Sequence, residues 1–213
     1  MDQALFHLIN EQWTNRVLDL FMAGLSDSSI WRPLLIIFAL IGLIFGGFKM
    51  RTCIFCILLM LLIAGQVTGM LKSAVDRHRP KQVQSVRMVE LQKARPKLLT
   101  LFKKPIIRFS DTKDRNRSGP SFPSGHVANN TVTAICLTLF YRKRGWLYWI
   151  VAAAISYSRI YLGAHWPSDV IATFFLASGE ALIILAGLEW IWRRAASKWA
   201  PEVFARHPSL LAA

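Results

Sequence analysis

Three short clusters in this 213-residue chain bring cations, hydroxyls, imidazoles and a carboxylate together at spacings suited to chemistry on phosphate. The first is Lys72, six residues, then Arg79 and Pro80. A Lys and an Arg seven apart lie on one side of a helix after two turns, so both could reach one phosphoryl group. Standing alone, such a pair beside an apolar run would read as snorkelling anchors. The second cluster is Ser121, Phe122, Pro123, Ser124, Gly125 and His126, ahead of another apolar run. Ser as a cap and Pro in the first turn mark an ordinary helix start. A helix start also offers free N–H groups to an anion, and Gly125 lets the backbone approach it closely. His126 would then stand beside the anion. The third cluster is Ser158, Arg159, five residues, His165, three residues, Asp169. A carboxylate near an imidazole fixes its tautomer and raises its basicity, as a nucleophilic or basic His requires, and Trp166 and Pro167 would lock the turn that aims the pair.

The elements that must hold these clusters are apolar. The chain is 54% hydrophobic and 18% charged, yet carries a formal net charge of +14. A soluble domain of this length would place more charge on its surface, so the composition implies a polytopic membrane protein with its Lys and Arg between the spans. Those cations suit anionic head groups or phosphorylated lipids; no nucleic-acid-binding motif accompanies them, and nucleic acid is not expected as a partner. The fold class expected is all-α: a helical bundle of about five transmembrane helices preceded by an amphipathic helix. Residues 1–30 would form that helix, with Leu5, Ile9, Trp13, Val17 and Phe21 on one stripe, lying in the interface or against the bundle. The first twenty residues lack a basic n-region and cleavage site, so they are expected in the mature protein. Spans are expected at about 31–48 and 52–71, joined by a turn at Lys49, Met50 and Arg51, then at about 126–141, 146–162 and 168–192. The third and fourth are slightly short for a hydrocarbon core of about 30 Å. A long basic loop would occupy about 73–123 within this 31–192 domain, and 193–213 would be a basic cytoplasmic tail.

Five spans put the three clusters on one membrane face. The opposite face would carry Lys49, Arg51, Arg142, Lys143, Arg144, Arg193, Arg194 and Lys198 in short segments beside span ends, which makes that face cytoplasmic. The segment from Lys72 to Arg117 holds 14 basic and 4 acidic residues, but it is long, and the rule concerns short loops. The expected location is the cell (inner) membrane, multi-pass, with the clusters facing the extracytoplasmic side.

The clusters resemble the signature of the type 2 phosphatidic acid phosphatase superfamily, K-x6-R-P, P-S-G-H and S-R-x5-H-x3-D, which also includes vanadium haloperoxidases. All defined positions are present in order: Lys72, Arg79, Pro80, Pro123, Ser124, Gly125, His126, Ser158, Arg159, His165 and Asp169. The resemblance covers about 52–192. It implies that His165 attacks phosphorus and becomes a phosphohistidine while Asp169 orients it. His126 would protonate the leaving oxygen and later help activate water. Lys72, Arg79, Ser124, the Gly125 backbone and Arg159 would bind the phosphoryl oxygens. The resemblance implies neither metal nor other cofactor, and the partners would be a lipid phosphate substrate and membrane lipids. The favoured substrate is undecaprenyl diphosphate or phosphatidylglycerophosphate. Other uses of the same pocket are lipid-to-lipid phosphotransfer, vanadate-dependent halide oxidation, which five spans argue against, and lipid binding without catalysis.

Other polar residues carry less. Cys53, Cys56 and Cys136 lie in apolar runs and are expected to pack. Glu180, eleven residues past Asp169, would lie about 16 Å along a helix, too deep for the chemistry, and is expected to hydrogen-bond a neighbouring span. Asn129 and Asn130 follow His126 by three and four residues, and either could hold its ring or line the lipid entrance. His7, His78 and His207 have no partner constellation.

Overall fold

The computed structural model describes residues 1–116 and 119–211; Arg117 and Ser118 of the long basic loop, and Ala212 and Ala213 of the basic tail, lie outside the described residues. The N-terminal segment is two helices rather than one. Helix α1 (Asp2–His7) runs into a π-helical turn (Leu8–Gln12), and the chain breaks before α2 (Arg16–Ser26), where the Asn15 side chain caps by accepting from Leu18 N at 2.9 Å. The break turns two faces inward. Phe6, Ile9 and Met22 are buried with Val86, Val127, Tyr161, Trp166 and Val170, so this segment packs against the bundle.

Helix α3 (Ser28–Phe45) starts at the Asp27 cap. It leads through Gly46 and Gly47 to α4 (Phe48–Val75). The glycines make the turn expected of Lys49–Arg51, which instead form the first turn of α4. A Cβ on Gly46 would meet the Gly42 carbonyl oxygen at 2.2 Å, so only glycine fits there. Helix α7 (Gly125–Tyr141) descends from the second cluster, a short α8 (Lys143–Trp146) turns the chain, α9 (Tyr148–Tyr161) climbs back, and α10 (Pro167–Trp199) descends again. Helices α3, α4 and α10 are long and apolar enough to cross a membrane. Helices α7 and α9, at 17 and 14 residues, reach only about 26 and 21 Å.

The middle of the bundle joins α4, α7 and α10 through Cys56, Met60, Ala64, Ala128, Val132, Cys136, Ala177, Ala181 and Leu185. Small side chains let these helices approach closely, which is the main source of adhesion where the surroundings are as apolar as the core. The cysteines pack here, with Cys136 Sγ 3.8 Å from the Cys53 carbonyl.

The long loop departs from an all-helical fold. After α5 (Pro80–Val83) come β1 (Arg87–Glu90), a 3-10 turn (Lys97–Phe102), β2 (Ile106–Phe109) and α6 (Thr112–Asn116). The strands pair antiparallel with Arg87 opposite Phe109 and Glu90 opposite Ile106. Arg108 clasps Glu90 and Asp114, each at 2.5 Å, and Ser110 N donates to the Val86 carbonyl while Ser110 Oγ accepts from Val86 N. The expected tail boundary at 193 falls inside α10. Beyond it, α11 (Pro201–Arg206) turns the chain back, so that the His207 ring stacks on Phe48 and Leu210 N donates to Glu189.

Candidate active site

Four helix ends meet at one end of the bundle: the last turns of α4 and α9 and the first turns of α7 and α10. Lys72 lies one turn before α4 ends. Arg79 does not continue that helix, because Asp76 takes a left-handed conformation at φ 41° and the chain turns. The helical phase expected to align Lys72 with Arg79 is therefore replaced by a turn, which still leaves their charges close enough to act on each other. Pro80 is buried in the first turn of α5, and Arg79 donates from Nε to the carbonyls of Gly119 at 2.9 Å and Pro120 at 3.3 Å, fastening the loop that leads to the second cluster.

Ser124 caps α7, as its sequence suggests, but its hydroxyl bonds no backbone. Its N–H donates to Thr173 Oγ1 at 3.0 Å, which positions it, while Oγ is buried without a partner among the described residues. A Cβ on Gly125 would meet nothing closer than Thr68 Cγ2 at 3.8 Å, so the protein leaves open space over this helix start. His126 Nε2 lies 3.2 Å from the Ser26 carbonyl. Asn130 does not hold the ring; its amide donates to the His126 carbonyl at 2.8 Å and its oxygen accepts from Tyr148.

Ser158 is buried and bonds its own helix at Ile155. Arg159 donates from Nη1 to Ser26 Oγ, and its Nε is buried without a partner among the described residues. A tight turn follows, closed by Ala164 N and His165 N on the Arg159 carbonyl at 3.0 and 3.2 Å. Gly163 sits there at φ +69°, where a Cβ would press Val86 Cγ2 at 2.9 Å, so glycine sets the direction of His165.

His165 is 2% exposed. Its pKa is held well below the ordinary imidazole range by burial first, then by the charges of Arg159 and Arg79, with Lys72 contributing further; the Ser121 carbonyl pulls the other way. Burial also lowers Arg79. The same three cations act on His126. Lys72, Arg79, His126, Arg159 and His165 therefore lie close enough at this end of the bundle for their charges to act on one another.

Asp169 is the correction. Its carboxylate, expected on His165, accepts from Arg77 Nη1 at 2.6 Å, Ser121 Oγ at 2.5 Å and Trp166 N at 3.0 Å. No hydrogen bond to His165 is found among the described residues, and His165 Nδ1 has no partner of acceptable geometry there. Asp169 is linked to the ring through Ser121, whose hydroxyl it binds and whose carbonyl faces His165. Sequence reasoning also missed Arg77, Asp2 and Ser26. Arg77 lies inside the first cluster, two residues before Arg79, and bridges Asp169 to Asp2, which it meets at 2.8 Å. Asp2 in turn accepts from Ser168 N and Oγ. Nothing in the sequence pairs a residue at position 2 with one at 168.

Glu180 lies at mid-helix in α10, away from the site. The hydrogen bond expected for it is not found among the described residues for Oε1, which is buried without a partner.

In solved structures the same architecture recurs. Aquifex aeolicus LpxE aligns with a TM-score of 0.59 over 87% of this chain and 94% of that one, at 23% identity. A transmembrane PAP2-type phosphatidylglycerolphosphate phosphatase from Bacillus subtilis aligns with a TM-score of 0.57 over 89% and 87%, at 22% identity. At these identities the likeness is one of fold. An undecaprenyl-diphosphatase of Sulfolobus acidocaldarius is 46% identical over 59 residues, which are 27% of this chain and 29% of that relative. Apolar helices and these likenesses together make this a membrane protein. The family model of the PAP2 superfamily matches residues 54–195, a stretch that contains all three clusters and most of the chain, and so the chain belongs to the PAP2 superfamily.

Proposed function

We propose that this chain is a multi-pass membrane phosphatase that releases phosphate from a lipid phosphate or diphosphate through a phosphohistidine at His165. One observation carries the reading. Among the described residues, five buried side-chain polar atoms lack a partner, and three of them, on Ser124, Arg159 and His165, belong to this one pocket. Buried polar atoms are ordinarily satisfied, so a cluster of exceptions beside Lys72 and Arg79 suits an anion with several acceptor oxygens.

In the first step a ring nitrogen of His165, neutral because burial and neighbouring cations disfavour its charged form, attacks phosphorus as the bond to the lipid oxygen breaks. His126 gives its proton to that oxygen. Lys72, Arg79, Arg159, Ser124 Oγ and the Gly125 N–H hold the phosphoryl oxygens as charge builds on them. Water then attacks phosphorus, His126 takes its proton, the phosphorus–nitrogen bond breaks, and inorganic phosphate leaves with His165 neutral again. Asp169 is a positioning residue in this scheme.

The chain crosses the membrane five times, through α3, α4, α7, α9 and α10, of the cell (inner) membrane, with the site on the extracytoplasmic face. The short basic segments at the other end of the bundle support that orientation. The favoured substrate is undecaprenyl diphosphate, on the strength of the 59-residue match, with phosphatidylglycerophosphate second.

The test is phosphate release by purified full chain from undecaprenyl diphosphate, phosphatidylglycerophosphate and phosphatidic acid in mixed micelles with a chelator present. Release is expected with chelator, and His165→Ala should lower it by about three orders of magnitude or more. Unchanged turnover in that variant sinks the mechanism; loss of wild-type turnover on chelation sinks metal independence.

A further inference from the structure

We infer that Ser26, which lies outside the 54–195 stretch matched by the family model, is a positioning residue for both Arg159 and His126. Ser26 ends α2, is 6% exposed, and stands immediately before the Asp27 cap of α3. Its two polar groups meet two different site residues. The hydroxyl oxygen accepts from Arg159 Nη1, and the backbone carbonyl faces His126 Nε2 at 3.2 Å.

Each contact has a chemical consequence. A guanidinium presents its donors in a rigid fork, so fixing Nη1 on Ser26 fixes where Nε points. Nε is the buried Arg159 donor without a partner among the described residues, so the fork is held with that donor turned to a phosphoryl oxygen. A carbonyl only accepts, so the contact with His126 holds a proton on Nε2 and leaves Nδ1 as the nitrogen that works: protonated, it gives its proton to the leaving oxygen, and its freed lone pair then takes a proton from water. Ser26 itself touches no reacting atom.

The location of Ser26 is fixed by the rest of the N-terminal segment. Asn10, fully buried, donates to the carbonyls of Arg87 at 2.9 Å and Tyr161 at 2.7 Å and accepts from Arg87 N. Asp19, 1% exposed, binds Arg87 Nη2 and the Tyr161 hydroxyl, both at 2.7 Å. Polar groups buried this deeply tolerate little displacement, because a shift leaves them unsatisfied. Residues 1–26 are thereby locked to the end of α9, and Ser26 is delivered to Arg159, two residues before Tyr161.

This inference rests on the phosphate-binding reading of the pocket, so its test separates binding from turnover. Purified full chain, Ser26→Ala and Ser26→Thr are compared by lipid-phosphate kinetics and by protection of the unfolding midpoint with inorganic phosphate. Ser26→Ala should raise KM and weaken phosphate protection about tenfold, as loss of a hydrogen bond to a charged group does. Its kcat–pH profile should stay in place, because the carbonyl on His126 remains. Ser26→Thr keeps the hydroxyl and should restore phosphate affinity, which a purely structural defect would not allow. If no variant, wild type included, hydrolyses lipid, but Ser26→Ala still weakens phosphate protection and Ser26→Thr restores it, the positioning role stands and the phosphatase reading falls. If wild type hydrolyses lipid and Ser26→Ala matches it in both KM and phosphate protection, the positioning role is overturned alone.

Discussion

The two ends of the bundle are held by different forces. In the middle and toward the distal end, α4, α7 and α10 meet through Ala64, Ala128, Cys136, Ala177 and Ala181, small groups that interlock and carry few polar atoms. At the site end, Asp169, Asp19, Asn10, Ser121, Ser124 and Thr173 are all buried, and most are satisfied by partners from distant parts of the chain. The apolar region fixes distances between helices, whereas the polar region fixes directions of individual groups. A packing defect in the first costs contact energy and leaves the site in place; a lost partner in the second strands a buried polar atom and turns a group of the proposed site.

The sharpest way to break this comparison is Asp169→Ala, which unties Arg77, Ser121 and Trp166 N together. We expect phosphate release to fall by about a thousandfold and stability to fall by about 3 kcal/mol, because removing one partner of a buried pair leaves the rest uncompensated. Turnover and unfolding midpoint, measured on the same preparation, would blur the distinction if stability alone moved.

The pH dependence of stability is the next largest effect. His165 has its pKa depressed in the folded protein, so below about pH 6.5 the unfolded chain takes up a proton that the folded chain does not. Stability should therefore decline as pH falls through that range toward the depressed value, by at most about 1.4 kcal/mol per pH unit from this group. His165→Gln should lose less of its unfolding midpoint than wild type between pH 7 and pH 5. Equal losses would place the acid sensitivity elsewhere.

Smallest for activity is Met60→Ala in the apolar region, where Met60 is fully buried. A cavity there should cost about 2 kcal/mol of stability while turnover per folded molecule stays within about twofold. A large loss of turnover would show that the two ends are mechanically coupled.

The same contrast explains what could be read from the sequence. Apolar runs and the three clusters were legible because each is local: Lys72 to Arg79, Pro123 to His126 and Ser158 to Asp169 are short stretches whose spacing survives folding. Helix positions were legible to within a few residues for α3, α4, α7 and α9 for the same reason, while α10 runs seven residues past its expected end. The Lys72–Arg79 pair shows the limit, since the helical phase between them is broken at Asp76 and proximity is restored by a turn. The polar frame was illegible because its pairs are remote: Asp2 with Ser168, Ser26 with Arg159, Asn10 with Tyr161. Asp169 was read as the partner of the nearest imidazole, but a buried carboxylate seeks charge and donors, and Arg77 and Ser121 supply both. The hairpin of the long loop was hidden by its basic, weakly patterned composition.

On the proposed reading, the length of α10 sets how far a lipid substrate would have to travel. Its 33 residues extend about 50 Å, well beyond a hydrocarbon core of about 30 Å. With Arg193 at the far water boundary, about 20 residues of helix cross the core and emerge near Thr173, one turn from Asp169. On the proposed orientation, His165 would then stand at about the height of the phosphate groups of that leaflet. A substrate would need to slide sideways and tip its head into the pocket while its tails never leave oil, so the work of extracting a long hydrocarbon chain into water is avoided.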